Sequence, residues 1–212
     1  MPKPDKLKTQ IFYDRIADVH NLVMKINGYQ GSIAKRLRSL DLDLNENSLV
    51  LDAGSGTGVV SLGFYNAGFR PKKTVAVDLS FNSLKISKEQ FETYEKTDET
   101  RVCIVQGNVL KLPFADETFD VVLSCGVLEY VSLDEGLREF ARVLKRGAKL
   151  VLIPVRPSLI GSVLEILYKF KTHSIEATKK IAGQYFEISG VHKFSFLEPI
   201  GWSKIVFLFQ KK

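Results

Sequence analysis

Apolar residues recur three or four positions apart over residues 10–28, at Ile11, Phe12, Ile16, Val19, Val23 and Ile26, a spacing that predicts a helix closed by Gly28. GSIAKRLRSL (31–40) starts a second, with Ile33, Leu37 and Leu40 on one face. Acidic LDLDLNEN then gives way to SLVLDA, a continuous apolar run short enough for a buried strand. TGVVSLGFYNAGF fits a helix ended by Gly68, and KKTVAVDLS is a second buried strand ending in Asp78. The pattern then repeats. SFNSLKISKEQFETYEK is a helix opened by Ser80, and RVCIVQGN and FDVVLSC are strands. SLDEGLREFARVLKRG is a helix with a capping box at Ser132 and Glu135 and an apolar stripe through Leu133, Leu137, Phe140, Ala141 and Leu144. It is expected to end at Gly147, with Lys145 and Arg146 on the negative end of its dipole. AKLVLIPV is a fifth strand.

Strands alternating with helices predict right-handed crossovers and a parallel sheet covered on both faces. The C-terminal end breaks the alternation. YFEISGVHKFSF and WSKIVFLFQ are extended runs separated only by LEPIG, too short a link for a parallel crossover, so they pair antiparallel. The expected fold is α/β, with about seven strands, mostly parallel, and one antiparallel strand near the edge.

A chain of 212 residues, 45% hydrophobic and 25% charged, suits one domain with a full core. Within it, N-terminal helices occupy 1–45, the alternating core 46–154, an interrupting segment 155–184 and the C-terminal hairpin 185–212. No stretch approaches the roughly 18–20 apolar residues of a membrane span. The start, MPKPDKLKTQ, lacks the apolar centre of a secretory leader, so the expected location is cytoplasmic. Cys103 and Cys125 cannot build a disulfide framework, and no spacing of cysteines with His20, His173 or His192 suggests a metal. Charge is uneven. Residues 1–140 carry 17 Lys and Arg against 20 Asp and Glu, a net −3; residues 141–212 carry 13 against 4, a net +9. A basic end can face nucleic acid, a phosphorylated substrate or a membrane surface, although a solvated lysine-rich surface accounts for the same count.

The densest chemical signal is VLDAGSGTG, with Gly54, Gly56 and Gly58 following Asp52 at a strand end and opening a helix. Free backbone N–H groups at a helix start suit an anionic or polar cofactor group. A triphosphate loop needs Gly-Lys-Ser/Thr, and no Lys or Arg occurs between Leu42 and Arg70. A dinucleotide loop needs a small residue where Val59 stands, though Asp78 would suit a ribose in that reading too. A third reading rests on five segments in order: VLDAGSGTG, VAVDLS, QGNVLKLPFADETFDVVLS, SCGVLEYV and EFARVLKRGAKLVL. Together, over about residues 48–154, they resemble the class I S-adenosylmethionine-dependent methyltransferases, and within these the ubiquinone/menaquinone-type (type 11) group.

That resemblance implies a Rossmann-like three-layer αβα sandwich, S-adenosyl-L-methionine as cofactor with S-adenosyl-L-homocysteine as product, and no metal. Asp52 would orient the cationic methionine end, with Ala53, Gly54, Ser55 and Gly56 letting it approach closely. Asp78 would accept the ribose hydroxyls, and Leu79 would lie against the adenine. Asn108, between Gly107 and Val109, stands where the family usually has an aspartate bonding the adenine amino group. Ser124, Cys125 and Gly126 would line the methionine arm and the methyl group. Tyr13 resembles an N-terminal tyrosine that closes over the cofactor in relatives.

Displacement at a sulfonium methyl group is governed by alignment and exclusion of water, so the sequence need not display a catalytic base. Glu129, Tyr130, His192 and His173 are the candidates. SCGVLEY lacks the Asn/Asp-Pro-Pro-aromatic turn common in enzymes of this superfamily that methylate exocyclic nitrogens. In 155–184, SLIGSVLEILYKF offers an apolar face through Leu159, Val163, Ile166, Leu167 and Phe170, followed by Lys169, Lys171 and His173. It reads as a lid over a hydrophobic small-molecule pocket, as a membrane-surface helix, or as a helix packed on the sheet. The leading function is methyl transfer to a small, fairly hydrophobic acceptor. The alternatives are RNA or protein methylation through the basic end, and a non-catalytic nucleotide-binding domain.

Overall fold

A computed structural model describes residues 11, 14, 17, 18, 21–95, 101–168 and 170–212. The first helix, α1, is helical at the described residues of 11–26, and Gly28, in a left-handed conformation, opens α2 (Tyr29–Arg38). Then follow β1 (Leu49–Ala53), α3 (Val59–Asn66), β2 (Lys73–Asp78), α4 (Phe81–Glu95) and β3 (Val102–Gln106). The second half holds β4 (Phe119–Cys125), α5 (Leu133–Val143), β5 (Leu144–Ile153), α6 (Leu159–Tyr168), α7 (Ile175–Ala182), β6 (Phe186–Lys193) and β7 (Ile205–Lys211). A single 3-10 turn, Pro199–Trp202, joins the last two strands.

These strands form one sheet in the order β3-β2-β1-β4-β5-β7-β6. All neighbours from β3 to β5 are parallel; β7 runs antiparallel to both β5 and β6. Neighbouring residues on each inner strand feed opposite cores, which is why the runs read as continuously apolar. Leu51 and Ala53, Leu150 and Leu152, and Phe207 and Phe209 pack with α5 and α7 through Leu137, Phe140 and Ala182. Val50, Val151, Ile153 and Leu208 pack on the other face with α2 and α3 through Ile33, Leu37 and Phe64.

Helix starts follow the caps legible in the chain. Ser80 Oγ accepts from Ser83 N–H at 3.1 Å, and Ser132 Oγ from Glu135 N–H at 3.3 Å. The end of α5 differs from expectation. It stops at Val143, and Leu144–Gly147 belong to β5 rather than to a last helical turn. Leu144 is fully buried and pairs with Phe119, while Val143 O accepts from Thr118 N–H at 2.8 Å. The strand ladder thus replaces the helical bonds. Lys145 and Arg146 consequently reach Asp120 (2.7 Å) and Glu117 (3.5 Å) instead of a helix terminus.

Chain order runs outward from β1 to β3 and then jumps back across β1 to β4. The connections after β1 and β4 therefore lead to helices on opposite faces, α3 and α5, and leave a crevice at the carboxyl ends of the strands, where open α/β sheets bind ligands.

Candidate active site

A cavity of about 240 Å³ fills that crevice. Four strand ends supply its floor: Gly54–Thr57 after β1, Asp78–Ser80 after β2, Gly107–Val109 after β3, and Cys125–Val127 after β4. Val23, Met24 and Tyr29 from the N-terminal helices and Leu164, Tyr168 and Phe170 from the α6 region close the other side.

The three glycines of the opening loop serve different ends. A Cβ on Gly54 would lie 2.7 Å from the Val127 side chain, so this position lets the β1 and β4 loops touch. A Cβ on Gly58 would meet Ser87 and Phe91 at 2.8 and 3.1 Å, so here the backbone packs under α4. A Cβ on Gly56 would meet nothing within 4 Å, but its φ of 53° is one that L-residues avoid. Gly56 N–H donates to Asp78 Oδ2 at 2.7 Å, and Gly54 and Ser55 N–H both donate to Val77 O. The loop is thus fastened to the end of β2. Asp78 Oδ1 accepts from Ser80 N–H at 2.9 Å. Burial raises the Asp78 pKa, and the backbone donors of Ser80, Gly56 and Leu79 oppose that rise.

Asp52 is fully buried and turns away from the cavity toward α3, where Oδ2 accepts from Ser61 Oγ at 2.5 Å and Ser61 N–H at 3.1 Å. Burial lifts its pKa to about 7 against the lowering effect of Ser61. Ala53 and Ser124 are likewise buried behind the wall, with Ser124 Oγ donating to Ala53 O at 3.0 Å to tie β4 to β1. Asn108 lines the cavity, and its Oδ1 accepts from Leu110 N–H at 3.0 Å, which leaves a second lone pair on that oxygen and the NH2 donors for a ligand.

The acid–base candidates are scattered. Tyr130 lines the cavity and stacks edge-on against Phe170 at 5.4 Å. Glu129 is buried, with Oε1 accepting from Val155 N–H at 2.5 Å and Oε2 lacking a partner. His173 Nε2 lies 3.2 Å from Leu128 O, and His192 sits on the outer strand β6, its pKa lowered by burial and by Arg36. Tyr13 lies outside the described residues. Among the described residues, no group of three or more His, Cys, Asp or Glu side chains is arranged for a metal.

Lys204 is a site residue that the sequence reading missed. It precedes β7, lines the cavity, and is hydrogen-bonded to Cys125. Its only trace in the sequence is a lysine at the start of an otherwise apolar strand, WSKIVFLFQ.

Residues 51–152 match the family model of a methyltransferase domain. The chain is 30% identical over 216 residues to the demethylmenaquinone methyltransferase of Thermobifida fusca, spanning 91% of this chain and 85% of that one. The chain belongs to the class I S-adenosylmethionine-dependent methyltransferases. The fold agrees. Geranyl diphosphate C-methyltransferase from Streptomyces coelicolor, solved with S-adenosyl-L-homocysteine, superposes at a TM-score of 0.67 with 17% identity, over 84% of this chain and 78% of that one. The [4+2]-cyclase SpnF superposes at 0.77 with 17% identity, over the whole of this chain and 97% of its own.

The methyltransferase uses S-adenosylmethionine, and the cavity suits it. Ser55 Oγ and Thr57 Oγ1 are buried without a protein partner in the cavity-lining glycine loop, a polar pair suited to an amino-acid end. The Gly56 position leaves open space above the loop, and Asp78 and Leu79 line the cavity at the neighbouring strand end. That cofactor supplies an electrophilic methyl group; the chain must supply alignment and dryness.

Proposed function

We propose that this methyltransferase acts on a small, largely hydrophobic acceptor admitted beneath α6. The observation that carries the reading is the largely apolar part of the cavity lining: Tyr130, Val131, Val155, Leu164, Tyr168 and Phe170. Such a wall excludes water from the reacting centre and leaves orientation to shape and a few polar groups. In this reading α6 is the lid, Asp52 acts on the methionine end through the loop, and Asp78, Leu79 and Asn108 hold the adenosine. The name of the Thermobifida relative, with its lipid-soluble quinone, belongs to the same chemical class of acceptor.

The outward face of α6 supports delivery from a lipid surface on the cytoplasmic side. Leu159, Ile160, Val163, Ile166 and Leu167 are exposed, Leu159 at 90% and Ile166 at 78%. Of the face expected to cover the pocket, Leu159, Val163, Ile166 and Leu167 are therefore outside, and Leu164, Tyr168 and Phe170 do the covering. Exposed Phe196, Leu197 and Trp202 adjoin it, because Ser158 Oγ donates to Trp202 O at 3.1 Å and Trp202 Nε1 donates to Phe196 O at 2.8 Å. An apolar patch of this kind suits a bilayer surface. The RNA reading loses support: Arg142, Lys145, Arg146, Lys149 and Lys211 are all paired with carboxylates.

A single labelling experiment tests the proposal. Protein is incubated with radiolabelled S-adenosylmethionine and separate pools of polar metabolites, lipid extract and RNA. Label extractable into organic solvent is the expected result; label confined to RNA overturns it. Deleting residues 158–172 should lower turnover while cofactor binding survives, and unchanged turnover would remove the lid.

A further inference from the structure

Lys204 carries a charge into an apolar wall. It is only 8% exposed, and its Nζ would lie 2.8 Å from a Cβ on Gly126, so the ammonium rests directly over the Gly126 backbone at the cavity edge. Burial alone would lower its pKa, yet the Cys125 hydrogen bond and the neighbouring Glu129 oppose that and leave it above the ordinary lysine value. Lys204 is therefore charged at neutral pH. The Cys125 thiol, pushed up by burial, stays neutral and is a weak acceptor for one of three N–H donors. Glu129 acts through space while its Oε1 is engaged by Val155 N–H. Tyr29 and Tyr168, the other ionisable groups facing Lys204, are phenols that line the same cavity. A buried cation whose partners are a thiol and a distant carboxylate still has hydrogen bonds to make.

We propose that Lys204 is the acceptor-binding cation of this site: its ammonium takes the oxygen of a phenolic or enolic hydroxyl and holds the acceptor as its oxyanion. This rests on the acceptor reading above and narrows it to molecules with an ionisable hydroxyl on a flat apolar frame. The hydroxyl proton passes to solvent on binding, and Lys204 keeps its own three. Gly126 makes room for the ammonium, and the aromatic side chains Tyr130, Tyr168 and Phe170 supply the surface for the frame. An opposite charge at contact distance lowers a hydroxyl's pKa by about 1–3 units, which is how the lysine activates the nucleophile without accepting a proton.

The probe is 4-nitrophenol, whose ionised form absorbs in the visible. Its titration is followed with excess protein loaded with S-adenosyl-L-homocysteine, for wild type, Lys204→Met, Lys204→Gln and Lys204→Arg. Wild type and Lys204→Arg should move the midpoint at least about one pH unit down. Lys204→Met and Lys204→Gln should abolish the displacement. The same displacement in a neutral variant, or none with wild type, overturns the proposal. Calorimetry with S-adenosyl-L-homocysteine separates other failures. Wild type that does not bind it refutes the methyltransferase site as a whole. A folded neutral variant, judged by its melting transition, that loses more than about tenfold in that affinity assigns Lys204 to the cofactor instead.

Discussion

Raising the pH from 4.5 to 7.5 should cost this protein stability through one buried carboxyl. Asp52 is fully buried, and burial lifts its pKa from 3.8 to about 7. In the unfolded chain the group releases its proton near 3.8; in the folded chain it keeps it to about 7. Between those values the unfolded state binds fewer protons, so stability falls as pH rises and levels off once both forms are ionised. At about 1.4 kcal/mol per pH unit the full window amounts to about 4 kcal/mol. Asp52→Asn removes the titration. Its amide oxygen can still accept from Ser61, at the cost of placing a new NH2 group in a buried position. The absolute stability of the variant is therefore a poor measure and the slope is the informative one. Urea denaturation at pH 4.5, 5.5, 6.5 and 7.5 gives both curves. Wild type should lose up to about 1.4 kcal/mol per unit relative to Asp52→Asn within the window. Parallel curves, or a wild type that gains stability with pH relative to the variant, would refute the argument.

Three further outcomes follow from single contacts. Gly54→Ala places a methyl 2.7 Å from Val127 at a φ of 74°, which should cost about 1–3 kcal/mol and weaken S-adenosyl-L-homocysteine binding, read by chemical denaturation and calorimetry. Ser132→Ala removes the cap of α5 and should cost about 1 kcal/mol with cofactor affinity unchanged, since α5 lies on the sheet face and not at the cavity. Ile166→Asp with Leu167→Asp should leave the melting temperature within about 2 °C and abolish co-sedimentation with phosphatidylglycerol vesicles; undiminished sedimentation would dismiss the lipid surface.

Most of the architecture was legible because central strands of a parallel sheet are buried on both sides. SLVLDA, KKTVAVD and FDVVLSC read as strands because β1, β2 and β4 feed cores on both faces, and a run this short and this apolar has no competing helix. The serine caps at Ser80 and Ser132 were legible because they act within one turn. The end of α5 was not. FARVLKRG has a helical stripe and a terminal glycine, but Leu144 is claimed by Phe119 on a strand that lies earlier in the chain. A tertiary pairing overrode a local pattern that was itself consistent.

The site divides along the same line. Gly54, Ser55, Gly56, Asp78, Leu79, Gly107, Asn108, Cys125 and Gly126 reach one cavity because each lies at or just after the carboxyl end of a parallel strand, and parallel strands bring those ends to one edge. Lys204 arrives from the opposite direction. The reversal of β7 brings the amino end of that strand to the same edge, so a residue 79 positions after Cys125 in sequence comes to lie beside it. A motif scan reads strand ends in one polarity and passes over such a residue. The antiparallel β7 therefore does more than complete the sheet. It is the element that brings a lysine to a crevice whose parallel strands offer glycines and carboxylates.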